Sequence, residues 1–249
     1  MRLTRIHAAP SPLVLGTTGR KTIAFALLLA ACSQPSPAQD RTAAGFPRAD
    51  RPVASIVSSR WSNETERDRL REAEAVMRAS GVKPGMTVAD IGAGEGYYTV
   101  RLAARVGKSG RVLAEDIVPA YRDALAARVS GERLDNVSVK LGQASDPMLP
   151  DGSFDRVFLV HMYHEIEQPY EFLWRLRPAL ADGGMVVVVD ADRATESHGT
   201  PPSLLACEFA AAGYAQVSRT AMPQAGGYLA LFKASGARPA PTAMQGCRA

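Results

Sequence analysis

Three glycines, Gly92, Gly94 and Gly96, stand at alternate positions in "VADIGAGEGYYTVRLA", with Asp90 two residues ahead of the first. Glycine at this spacing lets a ligand come close to the backbone, because no Cβ stands in its way. The fingerprint for a dinucleotide would place its closing glycine where this chain has Tyr97. Asp90 also argues against a pyrophosphate, which it would repel. It suits a ligand carrying an ammonium or sulfonium charge. A second group of reactive side chains, His161, Tyr163, His164 and Glu165, lies in "VHMYHEIE". His161, His164 and Glu165 are the candidates for acid–base work or for orienting a substrate. The bland reading of the same residues is a brace for the loop and, for Glu165 and Glu167, a solvated face.

These residues need elements to position them. "TVADI" reads as a first strand, and "YYTVRLAARVG" as the helix that follows the glycines, stopped at Gly107. "GRVLAEDI", "NVSVKLG" and "FDRVFLV" read as strands two to four, and "GGMVVVVDA" as a fifth, buried on both faces. Helices are expected in "PAYRDALAARVS", "PYEFLWRLRPAL" and "PPSLLACEFAAAG", and one in front of the sheet in "NETERDRLREAEAVMRASG". "YAQVSRTA" and "GGYLALFKA" read as a closing antiparallel pair. Strands alternating with helices predict an α/β fold with a doubly wound, mostly parallel, seven-stranded sheet. In such sheets ligands bind beyond the C-terminal strand ends, where the glycine loop falls.

The chain resembles the class I S-adenosylmethionine-dependent methyltransferases. "VADIGAGEG" is similar to their first motif and "VLAEDIVP" to their acidic second-strand motif. "LPDGSFDRVFLVHMYHEI" and "LRPALADGGMVVVVD" are similar to the segments around their fourth and fifth strands. The resemblance covers about residues 64 to 233 and implies a Rossmann-like fold with S-adenosylmethionine as cofactor. It implies that Asp90 meets the methionine ammonium and that Gly92 and Gly94 cradle the ligand. It places the methionine carboxylate near the helix N-terminus after Gly96. Asp116 is implied to accept from the ribose hydroxyls; strand alternation points Glu115 elsewhere. Where many members carry an acid that reads adenine, this chain has Gln143 and Ala144, with Asp146 three residues after Gln143. A glutamine carbonyl can accept the same proton.

The implied activity is methyl transfer to a small molecule of unspecified identity. The alternatives are a binding lipoprotein that keeps the fold without turnover and, less favoured, a nicotinamide oxidoreductase. Scattered basic residues behind a net charge of +4 argue against nucleic acid. Cys32, Cys207 and Cys247 have no metal-binding spacing, and no metal site is assigned. Cys207 reads as a small core residue, with a Cys207–Cys247 disulfide left open. Nothing specifies an oligomeric state.

Near the start, "IAFALLLAA" follows Arg20 and Lys21, too short to span a bilayer but suited to an export signal. Leu29-Ala30-Ala31-Cys32 resembles a lipobox, in which Cys32 is acylated. Ser33 after it points to the periplasmic face of the outer membrane, with a cytoplasmic location the alternative if the signal is not processed. The expected organisation is a signal peptide over 1–32, a disordered tether over 33–54, one folded domain over 55–234, and a flexible tail over 235–249.

Overall fold

The computed structural model describes residues 40–56 and 64–248. The export signal, Cys32 and the first part of the expected tether lie outside the described residues. Seven strands form one sheet in the order β3-β2-β1-β4-β5-β7-β6. They are β1 (Thr87–Ile91), β2 (Arg111–Asp116), β3 (Val137–Leu141), β4 (Phe154–Val160), β5 (Leu180–Asp190), β6 (Tyr214–Met222) and β7 (Gly227–Ala234). Strands β1 to β5 pair in parallel, and β7 runs antiparallel to both β5 and β6. The helices are α1 (Glu64–Arg69), α2 (Glu72–Ala79), α3 (Tyr97–Val106), α4 (Pro119–Gly131), α5 (Pro169–Leu176) and α6 (Pro202–Ala211).

The period of two along the central strands builds two cores. Ala89, Ile91, Val157, Leu159, Val186 and Val188 face one side, against Leu173 of α5 and Phe209 of α6. Val88, Phe158, Val187 and Val189 face the other, against Val76 of α2 and Leu102 of α3. Alternate side chains point to opposite faces of a strand, so a run of valines serves both layers at once.

The segment in front of the sheet is two helices rather than the single one expected. Arg71 takes a left-handed backbone, φ 51°, and breaks the run. Arg71 N–H closes a turn on Asp68 O, and its guanidinium bonds Glu74. The break turns Glu72 inward, where it is buried.

Both expected flexible segments are packed over their described parts, which extends the folded unit beyond 55–234. Phe46, from the N-terminal strap 40–56, is buried beside Tyr170, Leu204, Met244 and Cys247. Arg51 enters the domain and pairs with Glu208 at 2.9 Å, the two side chains being 0% and 1% exposed. At the other end Trp174 Nε1–H donates to Pro239 O, and Arg238 stacks on the Trp174 ring. Arg41 donates to Met244 O, tying the two segments together. Cys207 is exposed and joined to Cys247 by a disulfide, so it is not a core residue. Proline, alanine and polar residues make both segments look disordered in composition. A few apolar anchors, one cross-link and one buried ion pair outweigh that.

Removing one partner of a buried ion pair leaves the other charge without compensation. Arg51→Ala is therefore expected to lower stability by about 3–5 kcal/mol, read as a lowered urea midpoint. An unchanged midpoint would show that the strap adds nothing to the fold.

Candidate functional site

A cavity of about 230 Å³ opens at the C-terminal ends of β1, β2 and β4. It lies where the order of strands reverses on either side of β1, the expected place for a ligand in such a sheet. Gly92, Gly94, Asp116, Gln143, Ala144, His161 and Glu165 all line it.

The three loop glycines have left-handed backbones, with φ of 65°, 53° and 86°, but they serve different ends. A Cβ on Gly96 would come within 2.4 Å of Leu125 Cδ1, so this glycine lets α3 approach α4. A Cβ on Gly94 would meet nothing within 4 Å. The space above Gly94 is open cavity. Tyr97 lines the cavity beside the loop, its hydroxyl donating to Asp68 and its ring against the guanidinium groups of Arg67 and Arg101.

The acids divide the same way. Asp116 accepts from Gly94 N–H at 2.9 Å and from Val118 N–H at 2.8 Å, one on each oxygen. It thus binds the first loop to the second and keeps further lone pairs for a ligand. Asp90 lies buried below the loop, accepts from Thr99 Oγ1 at 2.6 Å, and is not among the cavity's lining residues. Burial, with a smaller push from Asp116, raises its pKa to about 6.

Glu115 departs from its expected direction: it lines the cavity. Gly142 makes this possible, since a Cβ there would sit 1.1 Å from Glu115 Oε1. Neither carboxyl oxygen has a hydrogen-bond partner of normal geometry, and the Gly92 N–H bears on the group only weakly. Burial, aided by the charge of Asp116, pushes its pKa up to about 8. Gln143 and Ala144 face the cavity from the turn after β3. Asp146 is held off by Arg175 and by Met148 N–H.

On the opposite wall, His161 ends β4 in a left-handed conformation, φ 53°. Its Nε2 lies 2.9 Å from Glu72 Oε2. Glu72 also accepts from Tyr98 OH and from Arg67. Burial alone would raise its pKa, but His161 and Arg67 hold it down at about 2. Glu165 is on the wall too. His164 is not; it is buried behind the wall with Asp190. Tyr163 points away, its hydroxyl donating to Glu208. Glu72 and Arg67, which also lines the cavity, escaped sequence reasoning because both read as ordinary charges of an exposed helix.

The match to known families falls on this same framework: a methyltransferase-domain model covers residues 88–184. Over those residues the chain carries a methyltransferase domain. The nocamycin O-methyltransferase of Saccharothrix syringae is 41% identical over 75 residues, 30% of this chain and 27% of that protein. The ubiquinone/menaquinone biosynthesis C-methyltransferase of Hydrogenovibrio crunogenus is 30% identical over 118 residues, 47% of this chain and 46% of that one. The matched part of this chain spans less than half the length of either relative. Among solved structures, a SAM-dependent methyltransferase from Aquifex aeolicus superposes with TM-score 0.59 at 22% identity, covering 68% of this chain and 97% of that one. The [4+2]-cyclase SpnF gives TM-score 0.58 at 17% identity, covering 78% and 90%. Likeness at these identities speaks for the fold alone. The residues present nevertheless fit the cofactor of the family. Open space lies over Gly94, an acid ends β2, and a buried acid of raised pKa stands under the loop.

Glu115 supplies a test of this electrostatic picture. An acid that is raised in the fold, from an ordinary 4.5 to about 8, favours the folded state most below pH 4.5. That contribution is lost as pH rises towards 8. Glu115→Gln removes the titration, so the variant should gain on the parent between pH 5 and pH 8, by up to about 1.4 kcal/mol per pH unit. Urea unfolding at a series of pH values reads this, and parallel curves would contradict a buried neutral Glu115.

Proposed function

We propose that this protein transfers the methyl group of S-adenosylmethionine to a small molecule bearing a proton on the accepting atom. The observation that supports it most is a single cavity with two unlike walls. One wall has the glycine loop, Asp116 and Gln143; the other has His161 and Glu165. The relatives named above are O- and C-methyltransferases, in keeping with such an acceptor.

When bound, S-adenosylmethionine supplies an activated methyl group. The rest falls to the chain. Asp116 accepts from the ribose hydroxyls, and the Gln143 carbonyl from the adenine amino group. Asp90, or a water against it, faces the methionine ammonium, whose positive charge would favour its ionised form. The N-terminus of α3 and the cation of Arg67 would hold the methionine carboxylate. Ile91, Val160, Met162 and Phe172 give the acceptor an apolar surface. Glu72 fixes the proton on His161 Nε2, which leaves Nδ1 as the basic nitrogen to take the acceptor's proton. Most of the rate comes from holding acceptor and methyl group in line.

Calorimetry with S-adenosylhomocysteine and with NAD is the deciding measurement. One site for S-adenosylhomocysteine is expected, and Asp116→Ala should weaken it by roughly 2–4 kcal/mol through two lost hydrogen bonds. His161→Asn, a residue tolerant of left-handed backbone, should leave that binding within a few-fold and slow transfer by roughly 10²–10⁴. Binding of NAD instead, or unaltered affinity in the Asp116 variant, would refute the assignment. Binding without turnover on any acceptor would favour a non-catalytic module.

We also infer that the protein is exported and held on the cell envelope by acylated Cys32. The lipobox-like sequence supports this, as does the Cys207–Cys247 disulfide, since structural disulfides persist in oxidising compartments. Seven residues, 33–39, lie between Cys32 and the described strap. Cys32→Ser should move the protein from the membrane fraction to a soluble or unprocessed form, seen also in the intact mass. A native chain recovered from the cytosol with residues 14–32 intact would overturn the inference.

A further inference from the structure

A second group of donor atoms stands behind the wall of the cavity. His164 Nδ1 lies 3.0 Å from Asp190 Oδ1 and 3.2 Å from Oδ2. Asp190 is fully buried and also accepts from Ala191 N–H and Thr200 Oγ1. A carboxylate so placed fixes the Nδ1–H tautomer and leaves Nε2 as the electron-pair donor. That nitrogen is 3.9 Å from Glu165 Oε1, too long for a hydrogen bond. The ring of His198 stands perpendicular to that of His164, with centroids 5.5 Å apart. One donor atom from each of His164, Glu165 and His198 lies within 4.8 Å of the others.

His198 is held firmly for a loop residue. Its backbone is left-handed, φ 59°, its N–H donates to Thr195 O, and its carbonyl accepts from Arg193. The next residue, Gly199, is packed so that a Cβ would come within 2.5 Å of Arg193 Cγ and 2.6 Å of Ala191 O. Thr200 N–H closes the turn on Ala191 O. The turn after β5 therefore presents His198 to His164 on a rigid support.

We propose that His164 Nε2, Glu165 and His198 bind a divalent transition-metal ion of the zinc type, with Asp190 as the outer carboxylate behind His164. Two imidazoles and one carboxylate form the donor set of three-ligand zinc sites, which keep a fourth position open. Donors around such an ion stand about 3.3 Å apart, within reach of small side-chain rotations here. An Asp–His pair behind the ion is the usual support that orients a ligating imidazole. Oxygen-rich magnesium or calcium sites do not use this donor set. Because Glu165 also lines the cavity, the ion would stand at the edge of the methyl-transfer site. There the ion would lower the pKa of a hydroxyl or thiol. That last role rests on the methyl-transfer reading; the binding of the ion does not.

The test uses the full chain, dialysed against chelator and titrated with zinc chloride, followed by calorimetry and by metal content after gel filtration. One zinc per chain is expected. His198→Ala and Glu165→Gln, both outside the core, should each weaken binding by at least roughly a hundredfold, the upper end of the loss for an outer-shell partner. His161→Ala should leave zinc affinity unchanged, which separates this site from the Glu72–His161 pair. S-adenosylhomocysteine binding is measured on the same samples, so failure of the metal site is distinct from failure of the methyltransferase reading. Substoichiometric zinc in the parent chain, or undiminished affinity in both variants, would overturn the proposal.

Discussion

The N–H groups of Gly94 and Val118 both end on the carboxylate of Asp116, and the shape of the site follows from that one side chain. Two loops that leave neighbouring parallel strands would otherwise set their own courses. Tied through one acid at the end of β2, they hold a fixed separation, and the left-handed glycines let the first loop bend to meet the tie. Gly96 then brings α3 close to Leu125 of α4, so the helix starts where the loop delivers it. The same carboxylate acts at a distance by adding to the effect of burial, which raises the pKa of both Glu115 and Asp90. A cation entering the loop therefore meets two acids, Asp90 and Glu115, whose ionised forms it would favour.

Other buried acids solve the problem of burial with a partner from another element. Glu72 takes His161, Arg67 and Tyr98, and remains ionised despite its surroundings. Glu208 takes Arg51 from the strap together with Tyr163. Asp190 takes His164, Thr200 and a backbone N–H. Hydrogen bonds from these partners replace the hydration that the buried carboxyl groups lose. Glu115 lacks such partners and meets the cost by shifting towards its neutral form instead.

Much of this was legible in the sequence because it rests on local rules. Alternating and continuous apolar runs fixed the strands, glycine and proline marked the helix ends, and the glycine loop with its acids marked the cavity. What escaped depends on residues far apart in the chain. No local signal distinguishes Glu72 from the exposed acids of the same helix. Glu115 was misdirected because strand alternation gives the Cβ direction, whereas a long side chain can fold back under Gly142. His198 meets His164 only because the turn after β5 lies beside the loop after β4. The strap and the tail were misread because composition records how little apolar surface they carry, not that Phe46, Met244 and Cys247 converge on Tyr170.

The strap and tail also determine how the molecule bears load. A pull on the N-terminal end enters at Arg41 and passes to the tail through Met244 O. From the tail it crosses Cys247–Cys207 into α6, and Arg51 delivers the remainder to Glu208 of the same helix. Tension thus runs round a short circuit containing a covalent link, on the side of the sheet lined by α5 and α6. The glycine loop, reached from β1 and packed against α3 and α4, lies outside that circuit. Tension applied at the N-terminal end of the described strap can thus leave the geometry over Gly94 at rest.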